Sequence, residues 1–443
     1  MNKKIHLIGI GGIGMSGLAQ ILKEQENLVR GSDIEESEII GKLRTVLGKE
    51  NLEIGHTPKL LHDDTDKVIY SSAIPQDNPE LVKAKELGIP TLTYAQAIKE
   101  FTENSYTIAV CGTHGKTTVT AFASLALLAG DKDPTVIIGS ELNEFKGANY
   151  RLGKDKYFIV EACEYKRNFL NYSPNIIILT NLEAEHLDYF KDLDDYKNAF
   201  KEFIAKLPED GFLIANEDDP NVMDVVKDAK AQVIFFSKND ELVKEINLEI
   251  PGEFNKLNAL CALKLGQILN IDRSKMLDAF SKFKGAWRRF EILGKFYNMT
   301  VVSDYAHHPT AIEKTIQAAH QKYPNSKICC IFQPHQYNRT KNFLSEFGKA
   351  FKKADTVILP NIYEVRDKKQ DIESVSIEDL VESIKKAGTD AVVISEYDKI
   401  KHFLEENRSE FDVLLIMGAG DIWKFGEYYL AQNPNKFCET CED

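Results

Sequence analysis

Several features that mark broad protein classes are missing from this chain of 443 residues. No apolar run approaches the roughly 18 residues that a membrane-spanning helix requires. Cysteines number seven, an odd count scattered along the sequence, so there is no disulfide framework and a reducing cytosol is expected. One C-x-x-C exists, Cys438 with Cys441, but no second pair has zinc spacing, and it reads as two tail thiols. Positive charge is in deficit: 55 Lys and Arg stand against 68 Asp and Glu, a net charge of −13. Such a surface repels phosphate backbones and argues against a dedicated nucleic-acid or anionic-membrane binder. Nucleotide substrates stay open, provided that their phosphates meet glycine-loop amides, helix N-termini and individual cations.

What is present is an ordinary globular mixture, 43% hydrophobic and 28% charged. The length predicts two to four domains, with three expected. Lys3 and Lys4 before an apolar stretch imitate a signal peptide, but Gly9, Gly11, Gly12, Gly14 and Gly17 interrupt it, and a mature cytoplasmic start is expected. Short β-like runs predict strands at 4–10, 67–71, 107–111, 157–162, 176–180, 299–303, 327–332, 356–359, 391–394 and 412–417. Between them, 117–129, 196–205 and 258–269 have helical apolar spacing. This alternation predicts an α/β fold of mostly parallel sheets covered by helices on both faces. Boundaries are expected near 101–105 and 282–287, giving domains 1–104, 105–287 and 288–443.

Two strand-to-glycine-loop openings carry chemistry. Gly9-Ile10-Gly11-Gly12-Ile13-Gly14 fits G-x-G-x-x-G, with Asp33 about 20 residues later. A dinucleotide site, another diphosphate site and a tight structural turn all fit it. Gly112-Thr113-His114-Gly115-Lys116-Thr117-Thr118 is more specific. Its amides can wrap the β- and γ-phosphates, Lys116 neutralise them and a Thr hydroxyl reach Mg²⁺. The slot of the first Walker glycine is Val110, so this is a shorter G-T-x-G-K-T-T loop. Glu161 ends one predicted strand and His186 follows another. At the C-terminal strand edges both fall near Lys116 and become candidate Mg²⁺ ligands.

The ordered set of the glycine loop, G-T-H-G-K-T-T, E-A-C-E-Y, T-N-L-E-A-E-H-L-D, G-E-F-N-K-L-N-A, R-R-F-E, D-Y-A-H-H-P-T and F-Q-P-H-Q-Y-N-R-T resembles the Mur ligase family from about Ile5 to Asp421. The resemblance implies a Rossmann-like N-terminal domain holding UDP, a central P-loop ATP-binding domain and a Rossmann-like C-terminal domain. It implies a cytoplasmic, ATP- and Mg²⁺-dependent ligase of peptidoglycan precursor synthesis, monomer or dimer. This would join L-alanine to the carboxylate of UDP-N-acetylmuramate through an acyl phosphate. The alternative amine is a recycled L-Ala-γ-D-Glu-diamino-acid tripeptide.

By the same resemblance Gly11, Gly12, Ile13, Gly14, Ser71 and Ser72 line the UDP-sugar site. Gly112, Thr113, His114, Gly115, Lys116, Thr117 and Thr118 hold ATP, and Thr117, Glu161 and His186 hold metal. Asn255 and Asn258 approach the adenine, Arg288 reaches ATP phosphate, and Asp304, Tyr305 and His307 enter on domain closure. His335 and Arg339 face the muramoyl carboxylate and the amino acid. His335 is either a general base for the amine or a positional hydrogen-bonder, and Arg339 an oxyanion or carboxylate anchor. Cys163 and Phe254 depart from the family pattern; E-A-C-E-Y and A-H-H-P also occur in the tripeptide ligases. Several relatives carry a carbamylated Lys, and Lys201 lies at about the corresponding spacing, where a solvated helix Lys is expected.

Overall fold

A computed structural model describes residues 2–365 and 367–432; Cys438 and Cys441 lie outside these. The chain forms three α/β domains, each on its own sheet. The first sheet contains β1 (Lys4–Ile8), β2 (Leu28–Asp33), β3 (Leu52–Ile54), β4 (Lys67–Tyr70) and β5 (Thr91–Thr93), in the all-parallel order β3-β2-β1-β4-β5. The second contains β6 (Tyr106–Cys111), β7 (Thr135–Leu142), β8 (Ala148–Arg151), β9 (Tyr157–Glu161), β10 (Ile176–Leu179), β11 (Phe212–Asn216) and β12 (Gln232–Phe236). Its order is β12-β11-β10-β6-β9-β7-β8, parallel except for the β7–β8 edge. The third contains β13 (Glu291–Phe296), β14 (Met299–Asp304), β15 (Ile328–Phe332), β16 (Thr356–Leu359), β17 (Asp390–Val393) and β18 (Val413–Met417), ordered β13-β14-β18-β15-β16-β17, with only β13 antiparallel.

The sequence explains the parallel centres. β10 reads I-I-I-L and β18 V-L-L-I-M, and every residue of both is buried. Strands covered on both faces carry such continuous apolar runs. The helix Lys116–Ala129 has the matching composition: its residues Thr117–Leu127 are all buried, so it lies within the core.

The chain packs as two compact units. One comprises residues 1–247 with 257–282, so the first two sheets share it; the other comprises 248–256 with 283–443. In the first unit a continuous core runs from Leu18 and Ile98 beside the first sheet to Phe158 and Phe200 beside the second. Cys111, Cys163, Cys261, Cys329 and Cys330 are free thiols. No helix among the described residues is long and apolar enough to cross a membrane.

In each sheet the strand order reverses at an inner strand: β1 lies between β2 and β4, β6 between β10 and β9, and β18 between β14 and β15. Loops leaving the carboxyl ends of these neighbours diverge to opposite faces and open a crevice. Gly112, at the turn out of β6, has φ +128°, and a Cβ there would stand 2.2 Å from Thr180 Oγ1. Gly112→Ala is therefore expected to destabilise the first unit by at least ~2 kcal/mol, read as a lowered thermal-unfolding midpoint. A midpoint within one degree of the parent would contradict this packing.

Candidate active site

The first glycine loop leaves β1 and enters the helix Ile13–Glu24, with Gly12 at the N-cap. Gly9 N and Ile10 N both donate to Ser32 O at 2.8 and 3.1 Å, and Gly11 N donates to Asp33 Oδ2 at 2.7 Å. Asp33 thus braces the loop, whereas in a dinucleotide site the corresponding acid meets a ribose. Behind this brace lies a group without a motif signal. Ser32 Oγ donates to the fully buried Glu80 carboxylate, which also meets His6 Nε2 at 2.6 Å and His56 Nδ1 at 2.8 Å. Ser71 and Ser72 follow β4; Ser71 N bonds Ile8 O, and Ser72 O accepts from Lys166 Nζ at 2.9 Å. Asn149 Nδ2 donates to Ile13 O, tying this loop to the second sheet.

The second loop leaves β6. Gly115, with φ +83°, caps the helix Lys116–Ala129, and a Cβ there would meet Asn258 Oδ1 at 2.7 Å, so Asn258 borders the loop. Asn255 donates to Pro251 O at 2.6 Å. Asn181 and Thr180, after β10, brace the loop: Thr113 N donates to Asn181 O, His114 N to Asn181 Oδ1, and Thr180 Oγ1 to His114 O. His114 Nε2 lies 3.3 Å from Glu183 Oε2, and Thr118 is buried.

Three donor–acceptor sets gather here. Thr117 Oγ1 donates to Glu161 Oε1 at 3.1 Å, and Gly139 N to Glu161 Oε2 at 2.8 Å. Lys116 Nζ donates to Gly112 O at 2.5 Å and pairs with both oxygens of Glu164 at 3.1 Å. Glu164 has no exposed surface; Tyr196 OH donates to its Oε1 at 3.1 Å, and His186 Nε2 lies 3.7 Å from the same atom. Burial disfavours the Lys116 ammonium, but Glu164, supported by Cys163 and Glu161, outweighs it and the pKa lies above the ordinary lysine value. Thr117 with Glu161 is a hydroxyl–carboxylate pair of the kind that hard cations take, and it fits Mg²⁺. His186 has φ +55°, an uncommon conformation for a side-chain-bearing residue, concentrated at functional positions. Lys201 is 40% exposed and lies 3.8 Å from Asp224, while its neighbour Phe200 turns into the core. Lys201 is thus the solvated helix lysine expected of it.

The second unit carries its own cluster at the carboxyl ends of β14, β18 and β15. Arg288, φ +56° and 5% exposed, donates through Nη2 to Gly418 O and stacks over Tyr305 at 4.9 Å and Trp287 at 5.6 Å. Its Nε has no hydrogen-bond partner among the described residues. Burial pulls its pKa down to about 10, so it remains a cation at neutral pH. Asp304 accepts from Phe290 N and Ala306 N at 2.7 Å each; burial pushes its carboxyl up against the opposing pull of Arg289. Tyr305 N donates to Arg288 O, and His307 Nδ1 lies 2.9 Å from Tyr305 O. His335 stacks on Tyr363 at 5.6 Å and is 6.4 Å from the His307 ring. Arg339, nearly buried, approaches His335 Nδ1 at 3.3 Å and His335 O at 3.0 Å. A guanidinium has only donors, so in this contact Nδ1 is the accepting atom.

Sequence reasoning placed Lys116, Thr117 and Glu161 together, as the structure does, and His186 beside the same loop. Glu164, the second Glu of E-A-C-E-Y, is not among the expected site residues, nor are Tyr196 and the Glu80 group. A glutamate three residues beyond a strand end is the one signal that pointed to Glu164.

Three family models cover the chain in order: the Mur ligase family catalytic domain over residues 4–106, the Mur ligase middle domain over 110–245 and the Mur ligase glutamate ligase domain over 288–420. A UDP-N-acetylmuramate–L-alanine ligase from Caldanaerobacter subterraneus is 41% identical, covering 97% of this chain and 98% of its own. The crystal structure of a UDP-N-acetylmuramate–alanine ligase from Thermotoga maritima superimposes with a TM-score of 0.81 and 28% identity over 99% of both chains. A murein peptide ligase from Psychrobacter arcticus shares the fold, with a TM-score of 0.70 and 23% identity over 97% of this chain and 98% of its own. Together with the phosphate loop and its two carboxylates, these similarities establish that the chain belongs to the Mur ligase family.

Proposed function

We infer that this chain joins L-alanine to the carboxylate of UDP-N-acetylmuramate, converting ATP to ADP and phosphate, in cytoplasmic synthesis of peptidoglycan precursors. The observation that carries the reading is the gathering of Lys116, Thr117–Glu161 and His186 around one phosphate loop, in a chain matched end to end by a relative named for that reaction. The tripeptide alternative rests on Cys163 and A-H-H-P alone.

Residues 1–104 supply the UDP-sugar site, lined by Gly11, Gly12, Ile13 and Gly14 with Ser71 and Ser72 beside them; Asp33 and Gly9 engage the Gly11 and Gly12 amides, and those of Ile13 and Gly14 at the helix N-terminus face the diphosphate. Residues 105–287 supply the ATP site. There the Gly112–Thr118 loop holds the phosphates through the amides at its helix end, from Gly115 to Thr118, while Asn181 holds those of Thr113 and His114; Lys116 neutralises charge on the transferred group, and Asn258 and Asn255 serve the adenine side. Thr117, Glu161 and His186 would hold Mg²⁺, which when bound neutralises phosphate charge. Residues 288–443 supply Arg288 to an ATP phosphate, with Asp304, Tyr305 and His307, and His335 and Arg339 to the carboxylate partners.

A muramoyl carboxylate oxygen attacks the γ-phosphorus and the bond to the ADP oxygen breaks. The alanine nitrogen then attacks the acyl carbon, loses its proton, and phosphate departs. Both steps need alignment and compensation of growing negative charge more than covalent help from the protein. Of the two roles open to His335 we take the donor role, in which it works beside the Arg339 guanidinium. His335 then orients an anionic oxygen and the amine loses its proton to solvent.

Lys116→Ala is expected to lower kcat at least about 1,000-fold and, by leaving Glu164 without its cation, to lower the unfolding midpoint; near-normal phosphate release would remove the loop from the mechanism. His335→Gln, which keeps a donor, should retain turnover within about tenfold, whereas His335→Ala should lose about 100-fold. Equal losses in both, with an acidic limb of the pH profile abolished, would make His335 the base. The substrate is decided by phosphate release with UDP-N-acetylmuramate against L-Ala, Gly, L-Ser and the tripeptide. L-Ala should give the highest kcat/KM, and preference for the tripeptide would overturn the assignment.

A further inference from the structure

Tyr94 is the first residue of the helix Tyr94–Glu103, which a reciprocal capping box between Thr93 and Gln96 fixes at the carboxyl end of β5. That end of the first sheet is the one from which the Gly9–Gly14 loop also emerges. The ring packs on Gly14: a Cβ there would stand 2.9 Å from both Cζ and Oη of Tyr94. The absence of a side chain at the last glycine of the loop therefore makes room for this phenol. Glu161, at the end of β9, adds a smaller electrostatic contribution at the phenol. The phenol thus stands at the diphosphate loop, which Asn149 ties to the second sheet, within one compact unit. Its ring is packed against the core, yet its hydroxyl makes no hydrogen bond to any described residue.

A substrate whose diphosphate rests on Gly11–Gly14 and whose reacting carboxylate must reach the γ-phosphate has to pass from that loop toward the second sheet. We propose that Tyr94 is a substrate-binding residue whose hydroxyl donates to the lactyl carboxylate of UDP-N-acetylmuramate and holds it for phosphorylation. This rests on the ligase reading above. Burial, with smaller contributions from Glu161 and Cys163, raises the phenol's pKa, so it remains a donor across the working pH range. A donor is the complement that a carboxylate needs in the same unit as the Glu161 carboxylate, where a further acceptor would repel it. The contact is specific to the muramoyl end, because the uridine and the sugar hydroxyls of UDP-N-acetylglucosamine offer no carboxylate.

The test is calorimetric titration of the full chain and of Tyr94→Phe with UDP, UDP-N-acetylglucosamine and UDP-N-acetylmuramate. The variant keeps the ring against Gly14 and should fold as the parent does, checked by its unfolding midpoint. A hydrogen bond to a charged group predicts that Tyr94→Phe weakens UDP-N-acetylmuramate binding at least about tenfold, with the other two within about twofold. The KM for ATP should stay unchanged while that for UDP-N-acetylmuramate rises. Unchanged affinity for all three ligands would overturn the proposal, as would an equal loss for all three. A parent protein that binds UDP-N-acetylmuramate no better than UDP-N-acetylglucosamine would instead overturn the ligase reading. A discriminating parent with an indifferent variant would leave that reading intact and remove Tyr94 alone.

Discussion

A carboxylate with none of its surface in water, as Glu164 is, costs several kcal/mol unless donors surround it. Its donors come from distant stretches of chain: Lys116 from the phosphate loop and Tyr196 from the helix Leu193–Ile204, with His186 nearby in the loop after β10. Tyr196 extends the connection to Thr113 Oγ1, which exchanges hydrogen bonds with the backbone of Glu183. Satisfying this one buried charge therefore fixes the phosphate loop, the segment bearing His186 and the helix beyond it against one another. A partly satisfied network of this kind is costly, and a complete one is rigid. Rigidity is what phosphoryl transfer asks of its surroundings, since most of its catalysis is alignment.

That network can form only because of strand order. β6 lies between β9 and β10, so the phosphate loop, Glu161 and the Thr180–His186 segment leave adjacent strands at the same edge. The same arrangement recurs around β1, where Gly9–Gly14, Ser32 and Ser71 meet, and around β18, where Asp304, Gly418 and Gln333 meet. Part of the backbone strain lies at these edges. His186, Arg288 and Gln336 all have positive φ without being glycine, as do Lys166 and Arg167 beside Ser72. Such conformations persist only where surrounding contacts over-determine them.

A net charge of −13 opposes binding of anionic nucleotides at long range, and the buried cations act against it locally. Lys116 keeps its charge through Glu164, and Arg288 keeps its own through the Gly418 carbonyl and the faces of Tyr305 and Trp287. Inside the fold a charge pair is screened far less than at the surface. An acidic exterior is thus compatible with phosphate chemistry, because the exterior and the site operate in different dielectric surroundings.

What the sequence made legible follows from what a motif encodes. Gly112, Gly115 and the G-K-T-T run prescribe a backbone path and the side chains on it, so Lys116, Thr117 and the preceding strand could be placed from local pattern alone. Alternation of apolar runs gave the parallel sheets, because a strand covered on both faces has little alternative composition. The three-residue edges β3 and β5 and the antiparallel β8 and β13 carry too little apolar pattern to register, and the inner strands β7 and β11 are likewise absent from the expected set. Glu164, Glu80 and Tyr94 escaped for a different reason. Each lies close to a motif or on a separate helix, and each acquires its role from a partner 48 to 80 residues away in sequence (Lys116, Ser32 and Gly14 respectively). Such roles depend on which strand lies beside which, and that is decided by packing across the sheet rather than by any local signal. The residues that support a phosphate loop are therefore less readable than the loop itself, even where they contribute as much to its geometry.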